Sequence, residues 1–540
     1  MLLKANIQIP ELLDFPEVER TASLKFLLEL CCRQNEQLGL QSEQIQMLRD
    51  EILILKGEKA RPKIKASSLN KDKDDDSGKG SGGKNGKRGK PRRKKTKELE
   101  IHETKVIHPE NIPEGAVFKG YEDYVVQGIR IKPYNTKFRK ARYEVAKGEY
   151  LIGELPDSVR GSHFDPELRS YILSQYYEQR VTQNLILKHL WQLGVEISSG
   201  QLNNIIIEKH GKFHEEKADI LQSGLSVSSH VNVDDTGARH KGKNGYCTHI
   251  GNEFFTWFSS SESKSRVNFL ELLRAGYRDY TIDKIARGYL QLQKLPTAEQ
   301  GLFLEDKVFA DKASWEAHLQ ILGITSKLHK RIATEGALLA SVVRHGISPA
   351  LVIVSDDAGQ FNIAGFLNAL CWVHSERNIN KIIPYSEANR KAQEEVRSQI
   401  WNFYQQLKEF KVAPTDKKKT ILEQRFDEIF TQKTSFQMLN LALRRIYKNK
   451  IELLLVLSRP EIPLHNNLSE NDIRDYVIRR KISPTTRSDT GRDARDTFLS
   501  IKKTCQKLGI SFYQYLIDRL SGENNIPPMH QLIRAAAHAH

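Results

Sequence analysis

The sequence predicts a multidomain protein of mixed α+β and α/β class, built on a mixed sheet that a helical insertion divides. Two β-rich runs carry much of that expectation. HVNVDD at 230–235 and LVIVSDD at 351–357 each lead from β-branched residues into a pair of aspartates. The first run is followed by two more strand-like runs, NGYCTHIG and NEFFTWFSS, and then by the helical stretch SKSRVNFLELLRAG. Between the acidic pairs, and again beyond Tyr385, apolar residues recur at helical spacing. Consecutive strands followed by alternating helices and strands describe a sheet packed against helices. An Asp-rich turn is a common strand ending, because its carboxylate accepts from nearby backbone N–H groups. Two such endings in one chain suggest a shared site.

A chain of 540 residues exceeds one ordinary core, since domains run to roughly 100–200 residues. No apolar run approaches the roughly 18 residues of a membrane span. The start MLLKANIQIPELLDF lacks the basic-then-apolar pattern of a secretory signal, so a soluble, cytoplasmic protein without a membrane partner is expected. Cys31, Cys32, Cys247, Cys371 and Cys505 form no C-x-x-C pair, which argues against a disulfide framework or a zinc ribbon. Reduced and mostly buried thiols are expected. The net charge of +16 is unevenly spread. GKNGKRGKPRRKKTK at 83–97 holds nine Lys or Arg and no acid, with Lys87, Arg88, Arg92, Arg93, Lys94 and Lys95 at its centre. Together with Gly-, Ser- and Asp-rich neighbours this stretch cannot bury apolar surface. It reads as a disordered basic linker over 58–104 that contacts nucleic acid.

Leu24, Leu27, Cys31, Leu38, Ile45, Leu48, Ile52 and Leu55 recur at coiled-coil spacing, so residues 1–57 read as a helix that joins chains into dimers or larger species. Gln34 and Gln41 interrupt that seam, which leaves a helix packed on its own protein as the alternative. Residues 105–160 read as a small β unit rich in Lys and Arg, with strands at 121–134 and 137–145. Residues 161–222 follow as two helices, a turn at Gly194 and a third helix opening near Ser198, the grammar of a helix-turn-helix. Ser198 or Ser199 is the expected cap, and Gln201, Asn203 and Asn204 are set to reach bases or phosphates. The sheet occupies 223–277 and 349–385, around a helical insertion at 278–348. Its second part reads as strand LVIVS, helix FNIAGFLNAL and strand CWVH. Helices fill 386–522, and 523–540 reads as a tail.

Helix geometry adds one specific point. In PLHNNLSENDIRDYVIRRKIS at 463–483, steps of 100° put Val477 within about 20° of Glu470 and Ile473 within about 60°. Glu470 thus lies on an apolar stripe, and an inward-facing carboxylate needs a partner. Arg474, one turn on, is the ordinary candidate. A metal ion shared with the two Asp pairs is the other.

Several runs now stand in order: V-D-D-T at 233–236, S-D-D-A-G-Q-F at 355–361, C-W-V-H-S-E-R at 371–377 and N-N-L-S-E-N-D-I-R at 466–474. R-R-K at 479–481 and T-x-x-x-L-G-I-S-x-Y-x-Y-L at 504–516 complete the series. In these the chain resembles the transposases of the insertion-sequence-sixty-six family, bacterial DDE transposases with an RNase H-like core. The order of the motifs along nearly the whole chain carries the resemblance. It implies that Asp234, Asp356 and Glu470 are the catalytic triad and its metal ligands. It also favours the first Asp of each pair, which the strand pattern leaves open. Three departures stand out. Residues 105–150 contain no Cys where the family has a Cys-based zinc motif, so no zinc is expected. His465 replaces a common Asp, and the interval from Asp234 to Asp356 is long, in keeping with the insertion.

The resemblance implies DNA cleavage at element ends and strand transfer to target DNA. The implied partners are double-stranded DNA (terminal inverted repeats and target), a second copy of the chain or more, and small accessory proteins. Hard Mg²⁺ or Mn²⁺ suits carboxylate ligands. Two such ions about 4 Å apart can hold the attacking and leaving oxygens of an in-line displacement, with Asp234 bridging both. His374 and Arg377 would help position the scissile phosphate, and Arg474, Arg479, Arg480 and Lys481 would contact phosphates. Two alternatives stand beside this reading. One is an inactive or domesticated DNA-binding derivative, in which an acid of the triad would readily be lost; the other is an RNase H-like nuclease without strand transfer.

Overall fold

The computed structural model describes residues 100–539, apart from 110, 112, 114, 115 and 117–120. The seam at 24–55, the basic segment at 83–97, Cys31 and Cys32 lie outside the described residues. One unit ends at Gln127, and its described residues carry no helix or strand. The other runs from Gly128 and holds the elements that follow.

A hairpin of β1 (Arg142–Ala146) and β2 (Glu149–Ile152) opens this unit. The strand expected over 121–134 is not formed, and the one expected over 137–145 shrinks to β1. Every residue from 121 to 154 is exposed, so alternating apolar side chains have no surface to pack on, and Pro133 has no N–H for a ladder. Three helices follow: α1 (Pro166–Leu173), α2 (Gln183–Gln192) and α3 (Ser199–Ile207), the first prolonged by a π-helical turn. Gly194 makes the turn before α3 with φ at 82°. Ser198 is the cap: its hydroxyl accepts from the Gln201 N–H, while the Gln201 side chain accepts from the Ser198 N–H. Helix α4 (Gly211–Val227) then leads to the sheet.

Strands β3 (His230–His240), β4 (Lys243–Gly251) and β5 (Thr256–Ser261) form an antiparallel meander. The Asp234–Asp235 pair does not end its strand, because β3 continues to His240. Lys241 and Gly242, with φ of 48° and 78°, supply a two-residue turn whose twist suits the hairpin into β4. Helix α5 (Arg266–Leu273) precedes the insertion. That insertion is helical through α6 (Lys284–Leu292), α7 (Lys312–Ile321) and α8 (Lys327–Arg344), but it also holds a small antiparallel sheet of β6 (Tyr280–Ile282) and β7 (Lys307–Phe309).

Strand β8 (Val352–Ser355) then pairs parallel with β3, and β9 (Leu367–Leu370) pairs parallel with β8. The sheet order is β5-β4-β3-β8-β9. Two expectations are corrected here. FNIAGFLNAL is a loop followed by β9, because Gly365 at φ 110° interrupts it and Leu367–Leu370 finds a ladder on β8. CWVH is not a strand but opens α9 (Trp372–Asn380), whose Trp372 is buried against Phe403, Phe426 and Phe430. Helices α10 (Glu387–Val412), α11 (Asp416–Thr431) and α12 (Gln437–Lys448) share that apolar cluster.

The chain returns to the sheet with α13 (Asn467–Ile482), β10 (Thr485–Thr486) beside the end of β3, and α14 (Asp489–Lys507). Helix α14 covers the exposed edge of β5. Thr504, Ser500 and Asp496, one helical turn apart, accept from the N–H groups of Thr256, Phe258 and Ser260. After α15 (Phe512–Ser521), the expected tail is instead the helix α16 (Met529–His538), which buries Met529 and Ile533 in the main core. Cys247, Cys371 and Cys505 are free and buried. Among the described residues no helix is long and apolar enough to cross a membrane.

Candidate active site

Strand register brings the two Asp pairs together. His230, Val231 and Asn232 of β3 pair with Val352, Ile353 and Val354 of β8. Carried two residues onward, the same parallel register sets Asp356 opposite Asp234, just where β8 ends and leaves β3 uncovered. Asp357 follows in the left-handed region, with φ at 76°. Its carboxylate accepts from Asn449 Nδ2 at 3.2 Å.

The third acid is delivered by a buried amide. Asn466, fully buried, donates from Nδ2 to the Val233 carbonyl at 2.7 Å and accepts at Oδ1 from Asn232 Nδ2 at 2.9 Å. Its backbone N–H lies 3.2 Å from Cys371 Sγ. Its side chain therefore ties the start of α13 to the residue before Asp234 instead of capping the helix, and Glu470 stands in the first turn. We predict that Asn466→Ala lowers stability by about 1–3 kcal/mol, since the Val233 carbonyl and Asn232 amide lose buried partners. Urea unfolding of both chains checks this.

The members of each Asp pair differ in their surroundings. Asp235 has both oxygens engaged, by Thr248 Oγ1 and by Gln360 Nε2 at 2.8 Å. Asp234 accepts from the Asp235 N–H at 2.7 Å. Burial, together with the negative charges of Asp356, Asp235 and Glu470, pushes the Asp234 carboxyl up to about 7 against that hydrogen bond. Two of the acids named by the resemblance thus act on the third, Asp234, through charge.

Glu470 Oε1 is buried and has no hydrogen-bond partner. His374 Nε2 stands 3.5 Å from it and Arg377 Nη2 3.7 Å. Burial and the Arg377 charge lower the pKa of His374, against the opposing pull of Glu470 and Asp356. His374 is therefore neutral at pH 7, and its Nε2 accepts from Arg377 Nη1 at 3.2 Å. Of the two candidate partners for Glu470, Arg474 does not pair with it and is exposed. Burial likewise depresses His465, whose Nδ1 has no hydrogen-bond partner.

Among the described residues, no three His, Cys, Asp or Glu side chains are gathered tightly enough to hold one ion as they stand. The donor chemistry nevertheless fits a hard divalent cation: a carboxylate, Asp234, that feels the charge of two others, one of which has an orphaned buried oxygen. This has a measurable consequence. With its folded pKa above the unfolded value, Asp234 binds more protons in the folded state, so its effect on stability turns unfavourable as pH rises from about 4 to about 7. We predict that without divalent ions Asp234→Asn is more stable than the parent above pH 7, by a few kcal/mol at most, and equal to it near pH 4. Added Mg²⁺ should erase the difference by stabilising only the parent. Unfolding curves across that range check both points.

A family model described as transposase IS66 family matches residues 341–494, a stretch that includes Asp356 and Glu470 and stops short of Asp234. An uncharacterized protein, y4jO, from Sinorhizobium fredii is 41% identical over 323 residues, which is 59% of this chain and 100% of the relative. The chain belongs to the IS66 transposase family.

The other residues singled out in this IS66-family chain are placed as follows. Arg480 turns back onto β3, donating to Gly237 O and to Thr236 Oγ1. Lys481 is exposed. Arg479 is 1% exposed and stacked over the Tyr176 ring at 3.7 Å, so it cannot meet a phosphate, contrary to expectation. On α3, Asn204 is exposed, Asn203 Oδ1 accepts from Gln183 Nε2 at 3.1 Å, and Gln201 is partly spent on the cap. The cations from Lys87 to Lys95 lie outside the described residues. Sequence reading missed Asn232 and Asn466, Gln360 and Thr248. The adjacent Asn466–Asn467 pair at a helix start was the available signal, but it reads as a cap.

Proposed function

We propose that this chain is a DDE transposase that cleaves DNA at insertion-element ends and joins the freed 3′ ends to target DNA. What supports this reading is that Asp356 and Glu470 bear on Asp234 through their charge, beside the end of β8, in a chain of a transposase family. The strand order, three antiparallel strands and then two parallel ones, supports the RNase H-like core that the family implies. Asp234, Asp356 and Glu470 would hold Mg²⁺ or Mn²⁺, which when bound supplies activation of the attacking oxygen and stabilisation of the leaving one. Asp235, Gln360 and Thr248 fix the strand beside Asp234 so that its carboxylate stays directed at the site. Neutral His374 and charged Arg377 flank Glu470, where Arg377 offers a phosphate the charge it now shares with that acid.

Double-stranded DNA is the proposed partner. The helix-turn-helix would meet it through Asn204, with Asn203 and Gln201 beside it, and Arg474, Arg480 and Lys481 would follow the backbone near the acids. The segment with Lys87, Arg88, Arg92, Arg93, Lys94 and Lys95 would add sequence-independent affinity, and the seam at 24–55 would link two copies. The test is incubation of the full chain, Mg²⁺ and a labelled duplex carrying the element end with a target plasmid. Cleaved 3′-hydroxyl ends and their covalent joining to plasmid are expected. Cleavage without joining would reduce the protein to a nuclease, and binding without cleavage to a DNA-binding relic.

A further inference from the structure

Residues 128–142 hold Arg130, Lys132, Lys137, Arg139, Lys140 and Arg142 and no acid. Ile129, Ile131, Tyr134 and Phe138 stand between them, with Ile129 at 84% and Tyr134 at 82% exposure. Apolar surface left in water forgoes about 25 cal/mol per Å². The two-stranded hairpin that follows is marginal on its own, because hairpins need a third strand or a packing surface. The stretch nonetheless comes close to the fold at one point. Pro133 Cγ stands 3.5 Å from where a Cβ on Gly194 would be, against the turn between α2 and α3. At its other end the Gly153 N–H donates to the Ala141 carbonyl at 2.9 Å.

The geometry points to residues 128–142 as a DNA-backbone strap that prolongs the surface of the helix-turn-helix. A concentration of like charge with no acid repels a second copy of itself and suits a polyanion. The approach of Pro133 to the Gly194 turn puts that charge near the turn that leads into Ser198 and α3. The cations would meet phosphates, and the apolar and aromatic side chains would cover sugars. This differs from the basic segment at 83–97, and it rests on the reading of the protein as DNA-binding.

The test uses the full chain with Lys132, Lys137, Arg139 and Lys140 all changed to Gln. Binding to a fluorescent duplex is followed by polarisation over a series of KCl concentrations. The salt slope should fall by roughly 0.9 for each phosphate that the variant no longer neutralises, and affinity at low salt by about tenfold or more, with the melting temperature unchanged. A Lys132→Arg, Lys137→Arg, Lys140→Arg control should keep the parental slope. An unchanged slope and affinity in the Gln variant, while the parent binds and cleaves DNA, would overturn the strap alone. So would unchanged DNA binding together with loss of a dimer in sedimentation, which would make the stretch a contact between copies. A parent that binds no DNA would overturn the strap and the proposed function together.

Discussion

Asp472→Ala is expected to lower stability by about 3–5 kcal/mol, because it leaves buried cations without their counter-charge. Asp472 is 4% exposed and meets Lys507 Nζ at 2.7 Å, Lys503 Nζ at 3.2 Å, His249 Nε2 at 3.1 Å and Thr256 Oγ1 at 2.7 Å. Burial alone would raise its pKa, but Lys507, His249 and Lys503 outweigh that and hold the carboxyl well below its usual range. A depressed carboxyl contributes fully above its unfolded pKa, so this term is complete above about pH 4 and fades only in strong acid. One turn away, Asp475 pairs with Lys502 at 2.6 Å and with Arg180. Together these pairs clamp α13 between the sheet and α14, on the side of the helix away from Glu470. Denaturant unfolding at neutral pH checks the magnitude. A loss below 1 kcal/mol would mean that water reaches the lysines and the clamp is not a closed network.

Asp234→Asn, Asp356→Asn and Glu470→Gln are each expected to reduce DNA cleavage by at least about 10²–10³-fold, the scale of losing one charge-stabilising group. Folding and DNA affinity should survive, because the amides keep the shape and shed only charge. For Asp234 the fold should gain, since the carboxylate is held against burial and its neighbours' charges. By contrast Asp235→Asn, with its oxygens engaged by Thr248 and Gln360, should act through position and cost less than Asp234→Asn. A gel assay of cleavage with matched DNA affinities checks this, and full activity in any one triad variant would remove that residue from the site.

Much of the site was legible because it rests on local patterns. Each acidic pair follows a β-branched run, and helix steps put Glu470 beside an apolar stripe. The pairing of β8 with β3 turns the first pattern into proximity. What the sequence concealed depends on distant partners. The run FLNAL suits a helix or a buried strand equally, and only the free edge of β8 decides for β9. The span of β3 past Asp235 depends on a two-residue turn at Lys241–Gly242, where a lysine takes a left-handed conformation that its side chain does not advertise. The partner of Glu470 could not be read from i,i+4 spacing, because His374 and Arg377 arrive from another helix. Arg479 looked like a surface cation in R-R-K, and Tyr176, far away in sequence, covers it. The alternation at 121–134 misled for the opposite reason: the pattern is there, and no surface meets it.

The most direct measurement is Mn²⁺ binding to the full chain in the presence of duplex DNA, followed by electron paramagnetic resonance as free Mn²⁺ is withdrawn. If Asp234, Asp356 and Glu470 form one divalent-ion site, the parent withdraws Mn²⁺ and each of Asp234→Asn, Asp356→Asn and Glu470→Gln binds it at least about tenfold more weakly, a difference of about 1.4 kcal/mol. Equal Mn²⁺ binding by the parent and by the chain carrying all three substitutions would contradict the account.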